Sequence, residues 1–179
     1  MACEPVTLRG IPKECETNIG GIRRAYIALF DNVEVTPNQA GEEIASITMA
    51  SGAKFKSFEF RRNSSNLTST LNVSDSGAKY WTSELTMLFS RMETIKRIAI
   101  NSLVAAEACV IVEDANGKVW FLGKDEPVMA SAGSGETGTA RDDANQYSIT
   151  LQDVSKEAPY EINNTYWETN KDSLVDAEN

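Results

Sequence analysis

No histidine occurs among the 179 residues. That removes the usual general base near neutral pH, any Ser-His triad and the commonest metal ligand; carboxylate, lysine and N-terminal chemistry stay open. Cysteine is scarce: Cys3, Cys15 and Cys109. An odd, sparse count is not a disulfide scaffold, and no second pair completes a zinc set, so free thiols are expected. No apolar run approaches the roughly 18 residues of a membrane span, and residues 1–16 carry no apolar segment of the signal-peptide kind. Sequons at Asn63, Asn66, Asn72 and Asn163 read as chance matches in Ser/Thr/Asn-rich stretches. Basic charge is also short, 17 Lys and Arg against 26 Asp and Glu, for a net −9. Tight nucleic-acid binding draws on phosphate neutralisation, so this balance argues against it. The plain reading of −9 is solubility, and the sharper one is a surface that repels DNA.

What remains is an ordinary globular composition, 41% apolar and 24% charged, fitting one domain that needs no metal or disulfide staple. Residues 1–21, with Pro5, Gly10, Pro12, Gly20 and Gly21, read as an extended N-terminal arm. Residues 22–162 carry strand-like alternation, and residues 163–179 read as a polar acidic C-terminal tail. Residues 22–30 are apolar on both faces, which predicts a strand covered on both sides. Residues 31–43 read as a loop. Further strands are predicted over 44–49, 54–62, 67–73, 81–89, 108–113, 118–123, 127–132 and 147–154, with a polar loop over 131–145. Asn116-Gly117 predicts a two-residue hairpin turn that sets Val112 beside Phe121 and Ile111 beside Leu122. One amphipathic helix is predicted from about Ser90 to Ala106, with Ser90 and Glu93 as a capping box and Met92, Ile95, Ile98, Ala99, Ser102 and Leu103 on its apolar side. The fold class is therefore mainly β: an antiparallel sandwich or barrel with one flanking α-helix.

The motifs that could carry chemistry fail on context. Gly133-x-Gly135-x-x-Gly138 matches a dinucleotide fingerprint by letters, but no βαβ unit surrounds it. Ser51-Gly-Ala-Lys54 and Ser76-Gly-Ala-Lys79 satisfy S-x-x-K, yet both precede strands and the partner motifs of serine hydrolases are missing. Asp142, Asp143 and Asn145 lack the Gly and Glu that an EF-hand needs. Glu84 with Asp125 or Glu126 would suit a carboxylate hydrolase, but nothing in the sequence positions them. Trp81, Trp120 and Trp167 would suit a carbohydrate-binding β-sandwich, the main rival reading. The sequence points to no catalytic, cofactor-binding or metal-binding residue.

Several runs resemble virion proteins from phages of gut Bacteroidetes, including crAss-like phages. These are Gly20-Gly21-Ile-Arg-Arg-Ala-Tyr-Ile-Ala-Leu-Phe-Asp31-Asn32, Ile47-Thr-Met-Ala-Ser-Gly-Ala-Lys54-Phe-Lys-Ser-Phe-Glu-Phe60, Leu67-Thr-Ser-Thr-Leu71, Val110-Ile-Val-Glu-Asp-Ala-Asn-Gly-Lys-Val-Trp-Phe-Leu-Gly123 and Tyr147-Ser-Ile-Thr-Leu-Gln-Asp153. The resemblance spans about 20–162 and implies a tail-tube or tail-hub class protein, with a β-sandwich or split barrel and one flanking helix. It implies homo-oligomeric rings, six-fold or a multiple, in the virion tail, assembled in the host cytoplasm beside neighbouring tail or portal proteins. DNA passes such a ring as cargo that does not stick. A head-to-tail connector ring is the alternative within the class, and the class carries no catalytic residues or cofactor. Unpaired strand edges favour assembly on physical grounds as well. The polar sides of two strands, Thr68, Thr70, Asn72 and Thr82, Glu84, Thr86, are the candidates for a wet lumen or interface. Tyr166 and Trp167 are the candidates for a tail contact on a neighbouring subunit.

Overall fold

The computed structural model describes residues 8–13, 15–61 and 63–176. Among them the chain forms β1 (Ile22–Leu29), β2 (Val33–Pro37), β3 (Glu43–Met49), β4 (Lys56–Phe58), β5 (Asn66–Val73), β6 (Lys79–Ser90), α1 (Thr94–Val104), β7 (Ala108–Asp114), β8 (Val119–Leu122), β9 (Met129–Glu136), β10 (Gln146–Ser155), β11 (Tyr160–Ile162) and α2 (Asn164–Leu174). Sheet I has seven strands in the order β2-β3-β11-β8-β7-β1-β4, and sheet II has four in the order β5-β6-β10-β9. All pairings are antiparallel except β11 with β3. The chain is mainly β, a two-sheet sandwich with helices at its flanks, as its alternation predicts.

Sheet I is the middle layer. On one face Ala25, Ile27, Val110, Val112 and Leu122 pack against Leu85, Met87, Phe89, Ile149 and Leu151 of sheet II. On the other, Tyr26, Ala28, Ile111, Phe121 and Ile44 pack against Trp167 and Leu174 of α2. The double-sided apolar pattern of β1 and β7 is thus explained, because each successive residue enters a different core.

The segment read as a tail is this third layer. Asn163 caps α2, its side-chain oxygen accepting from the Tyr166 N–H. Trp167 is 2% exposed, and its indole N–H donates to Glu113 Oε1 at 2.9 Å. The Tyr166 hydroxyl accepts from the Ile47 N–H and donates to the Ile47 carbonyl, both at 2.9 Å. Tyr166 and Trp167 are therefore intramolecular anchors and not a tail contact, because the open apolar face of sheet I takes them first. The last residues of the tail, 177–179, lie outside the described residues.

Other expectations shift in detail. The stretch 31–43 holds β2, whose Val33 and Val35 pair with Met49 and Ile47. The helix starts later than the capping box implies. Ser90 is still in β6, paired with Gln146. Arg91 then turns the chain at φ 68°, and Glu93 is the N-cap with no side-chain cap bond. The Asn-Gly hairpin is one residue longer than expected: Asp114 Oδ1 accepts the N–H groups of Asn116 and Lys118, and only Gly117 takes positive φ. The register becomes Ile111 with Phe121 and Val112 with Trp120, which keeps both members of each pair on one face. The strand placed over 127–132 runs on as β9 to Glu136. Of the N-terminal arm, the described residues form no strand or helix and are exposed. Its last residues bind the hairpin tip, where the Ile19 N–H donates to Asn116 Oδ1 at 2.8 Å.

Candidate assembly surface

The outer face of sheet II gathers all six residues proposed for a lumen or interface. Registers set Thr68 beside Glu84 beside Gln152, Asn66 beside Thr86 beside Thr150, and Thr70 beside Thr82 beside Val154. Period-2 alternation does this: Ser83, Leu85, Met87 and Phe89 are buried, so Thr82, Glu84 and Thr86 face out. Neighbours are tied across the strands. Gln152 Nε2 donates to Glu84 Oε1 at 3.0 Å, Asn72 Nδ2 donates to Thr82 Oγ1 at 2.8 Å, and the hydroxyls of Thr86 and Thr150 lie 3.2 Å apart. Such cross-strand pairs hold the polar face in one arrangement. Glu84 is the one carboxylate of the six.

The borders of this face are open. β5 and β9, eight residues each, have a partner on one side only among the described residues. At the far end of the β5–β6 hairpin, Leu71 (48% exposed) and Val73 (61% exposed) point where sheet I no longer covers them. β9 also explains the Gly-x-Gly run. Gly133 and Gly135 sit in an edge strand, and a Cβ at Gly135 would meet the Tyr147 ring at 2.9 Å. The glycine makes room for an aromatic across the strand pair.

The buried ionisable groups are of a different kind. Glu113 Oε1 lies 2.5 Å from Lys171 Nζ. Burial works to raise this carboxyl, but hydrogen bonds from Lys171 and Trp167 outweigh it and hold it below its ordinary value. Asp153, 3% exposed, faces inward beside Ser83. Burial pushes its carboxyl up, with an N–H from Gly123 and the Ser155 hydroxyl opposing and Asp125 and Glu126 adding to the rise. Its Oδ1 has no hydrogen-bond partner among the described residues. Burial likewise pushes the Cys109 thiol up to about 12, so it is no nucleophile. Cys15 is exposed and free, and Cys3 lies outside the described residues.

Glu84 and Asp153 occupy opposite faces of sheet II and cannot act as one acid–base pair. The tryptophans are spread apart in role: Trp167 is buried, the Trp120 indole N–H donates to Asp114 Oδ2 at 3.2 Å with its ring on the core, and Trp81, partly exposed, stands between Leu71 and Ser155 in sheet II. Asp143 of the loop cluster accepts the N–H groups of Thr139 and Ala140 through Oδ2, and these bonds hold its carboxyl below the ordinary value. The two S-x-x-K serines, Ser51 and Ser76, stand at turns, and Lys79 opens β6. What the surface offers is therefore edges and a fixed polar face. No family model, no curated protein and no solved structure matches the chain.

Proposed function

We propose that this chain is a virion structural protein of a tailed phage, forming a ring or tube of the tail through which DNA passes. One observation carries the reading: sheet II presents a polar face between two eight-residue edges, β5 and β9, unpaired among the described residues. Exposed edges of this length are a liability in a monomer. A β5-to-β9 contact repeated by rotation pairs them all and closes a ring, for which six-fold or a multiple of it is the expected count. The polar faces then join into one lumen whose carboxylates, Glu84 in the middle and Glu136 at the end of β9, disfavour close DNA contact. The exposed Leu71 and Val73 supply the apolar part of the same interface.

The purified chain is expected to form rings or tubes at high concentration, seen by mass photometry and negative-stain imaging, with no appreciable duplex binding at physiological salt. Leu71→Lys with Val73→Lys should leave folding unchanged and abolish assembly. Glu84→Lys should fold and assemble, and the assembled rings should retain DNA. A chain that stays monomeric at every concentration, also with its neighbouring virion proteins, removes the reading.

A further inference from the structure

A cleft of about 850 Å³ opens between α1 and the β1–β4 edge of sheet I. It exists because β4 pairs with β1 only from Ala25 to Ile27. Beyond Ile27 the sheet has no next strand, and α1 stands in its place without filling it. The floor is apolar, built from Ile27, Leu29, Phe58 and Phe89 on the strand side and Ile100 and Leu103 on the helix side. The size lies within the range of about 300–1,000 Å³ typical of small-molecule sites.

The charges at the mouth cancel almost completely. Lys56 pairs with Asp176, Lys96 with Glu93 at 3.4 Å, and Glu59 with Arg24 at 3.3 Å. Lys54, which also lines the cleft, is exposed and makes no ion pair among the described residues. On a chain of net charge −9, this apolar cleft is left with one unmatched positive charge.

We propose that the cleft binds a single-chain amphiphile carrying one carboxylate, a fatty acid, with its alkyl chain on the Phe58–Phe89–Leu103 floor and its carboxylate at Lys54. Burial of the chain supplies the affinity. One unmatched ammonium selects one negative charge, so a neutral head gains nothing there and a second charge stays unpaired. The site is separate from the assembly surface: neither β5 nor β9 lines it.

The test is titration of the full chain with dodecanoate, followed by calorimetry and native mass spectrometry, with dodecanol as the neutral comparator. One saturable dodecanoate per chain is expected. Ser102→Trp fills the cleft from an exposed helix position and should weaken binding about tenfold or more. Lys54→Glu should weaken dodecanoate binding about three- to tenfold and leave dodecanol unchanged. Both variants should keep the wild-type thermal transition. If Ser102→Trp does not fold, Ala99→Leu fills the same space with a smaller change. Absence of saturable binding overturns the proposal, as does a wild-type response from Lys54→Glu or equal binding of dodecanol and dodecanoate. Loss of rings in Ser102→Trp, with a wild type that ignores dodecanoate, assigns the cleft to a neighbouring copy and overturns the fatty-acid site while sparing the ring.

Discussion

α1 and α2 are both eleven residues long and stand in opposite relation to the core. α1 has the better amphipathic pattern, yet Ile95 is 81% exposed, Ile98 54% and Val104 56%, and only Leu103 is buried. α2 is mostly polar, yet it buries Trp167 and Leu174 in the core on one face of sheet I. The difference lies less in the helices than in what each meets. α2 seats its side chains in an apolar face of sheet I, whereas α1 stands beside the β1–β4 edge and leaves the cleft there unfilled. A hydrophobic stripe predicts a helix; the vacancy it must fill decides how much it contributes.

The strongest way to break this comparison is Trp167→Ala. Truncating a buried tryptophan costs about 3–5 kcal/mol. Here the loss also removes the indole bond to Glu113 and the edge contact of Trp167 with Tyr26, whose ring centroids are 5.3 Å apart. Denaturant unfolding should show a large fall in midpoint. A drop under about 1 kcal/mol would mean that α2 is not part of the cooperative unit.

The Glu113–Lys171 pair sharpens the comparison, because it ties α2 to β7, whereas α1 makes no ion pair with a strand among the described residues. Both groups keep some exposure, the side chains being 15% and 28% accessible, so Lys171→Met should cost about 1–3 kcal/mol and not the full penalty of an isolated buried charge. The double variant with Glu113→Gln should cost less than the two single changes summed. The folded Glu113 carboxyl titrates below its ordinary 4.5. Its contribution is therefore complete above about 4.5 and is lost as pH falls through the lower folded value. Glu113→Gln should flatten that acid limb of the stability curve.

Much of the sandwich was legible in the chain. Alternation in β1, β6 and β10 located the strands, and the double apolar pattern of residues 22–30 foretold two covered faces. The six polar positions of β5 and β6 fell on one face for the same reason. α2 was hidden because its inward stripe, Trp167, Lys171 and Leu174, has a lysine at its centre. The Lys171 ammonium lies 5.0 Å over the Tyr26 ring and pairs with Glu113, so a charge occupies what is elsewhere an apolar position. Asn163 as N-cap and that four-then-three spacing were the signals available. The hairpin register was misread because Asn-Gly suggests a two-residue turn, whereas the Asp114 side chain organises a longer one.

Asp153 tests the sheet II side of the middle layer as Glu113 tests the α2 side. Its folded value is raised above 3.8 by burial, so the sign is reversed. The stability it contributes is complete below about 3.8 and is lost as pH rises through the folded value. At neutral pH the ionised form is a cost, and Asp153→Asn should stabilise the chain by about 1 kcal/mol while keeping an acceptor for the Gly123 N–H. The gain should vanish in acid, as thermal melts across pH can show. A variant less stable than wild type at neutral pH would mean that the charge itself holds Gly123 in place.

The smallest effect belongs to α1. Ile95→Ser and Ile98→Ser remove large side chains from positions that touch little, so in the monomer each should change stability by no more than about 0.5 kcal/mol, against several for Trp167→Ala. Part of even that change is helix propensity and not packing, since serine and isoleucine differ by only a few tenths in a helix. The measurement that matters is the same pair of variants in the proposed rings. If the two isoleucines stay exposed in the assembly, the melting temperature of rings and monomers should shift alike. A selective loss of ring stability would place α1 at a subunit boundary, and its contrast with α2 would then be that one helix completes the subunit and the other completes the ring.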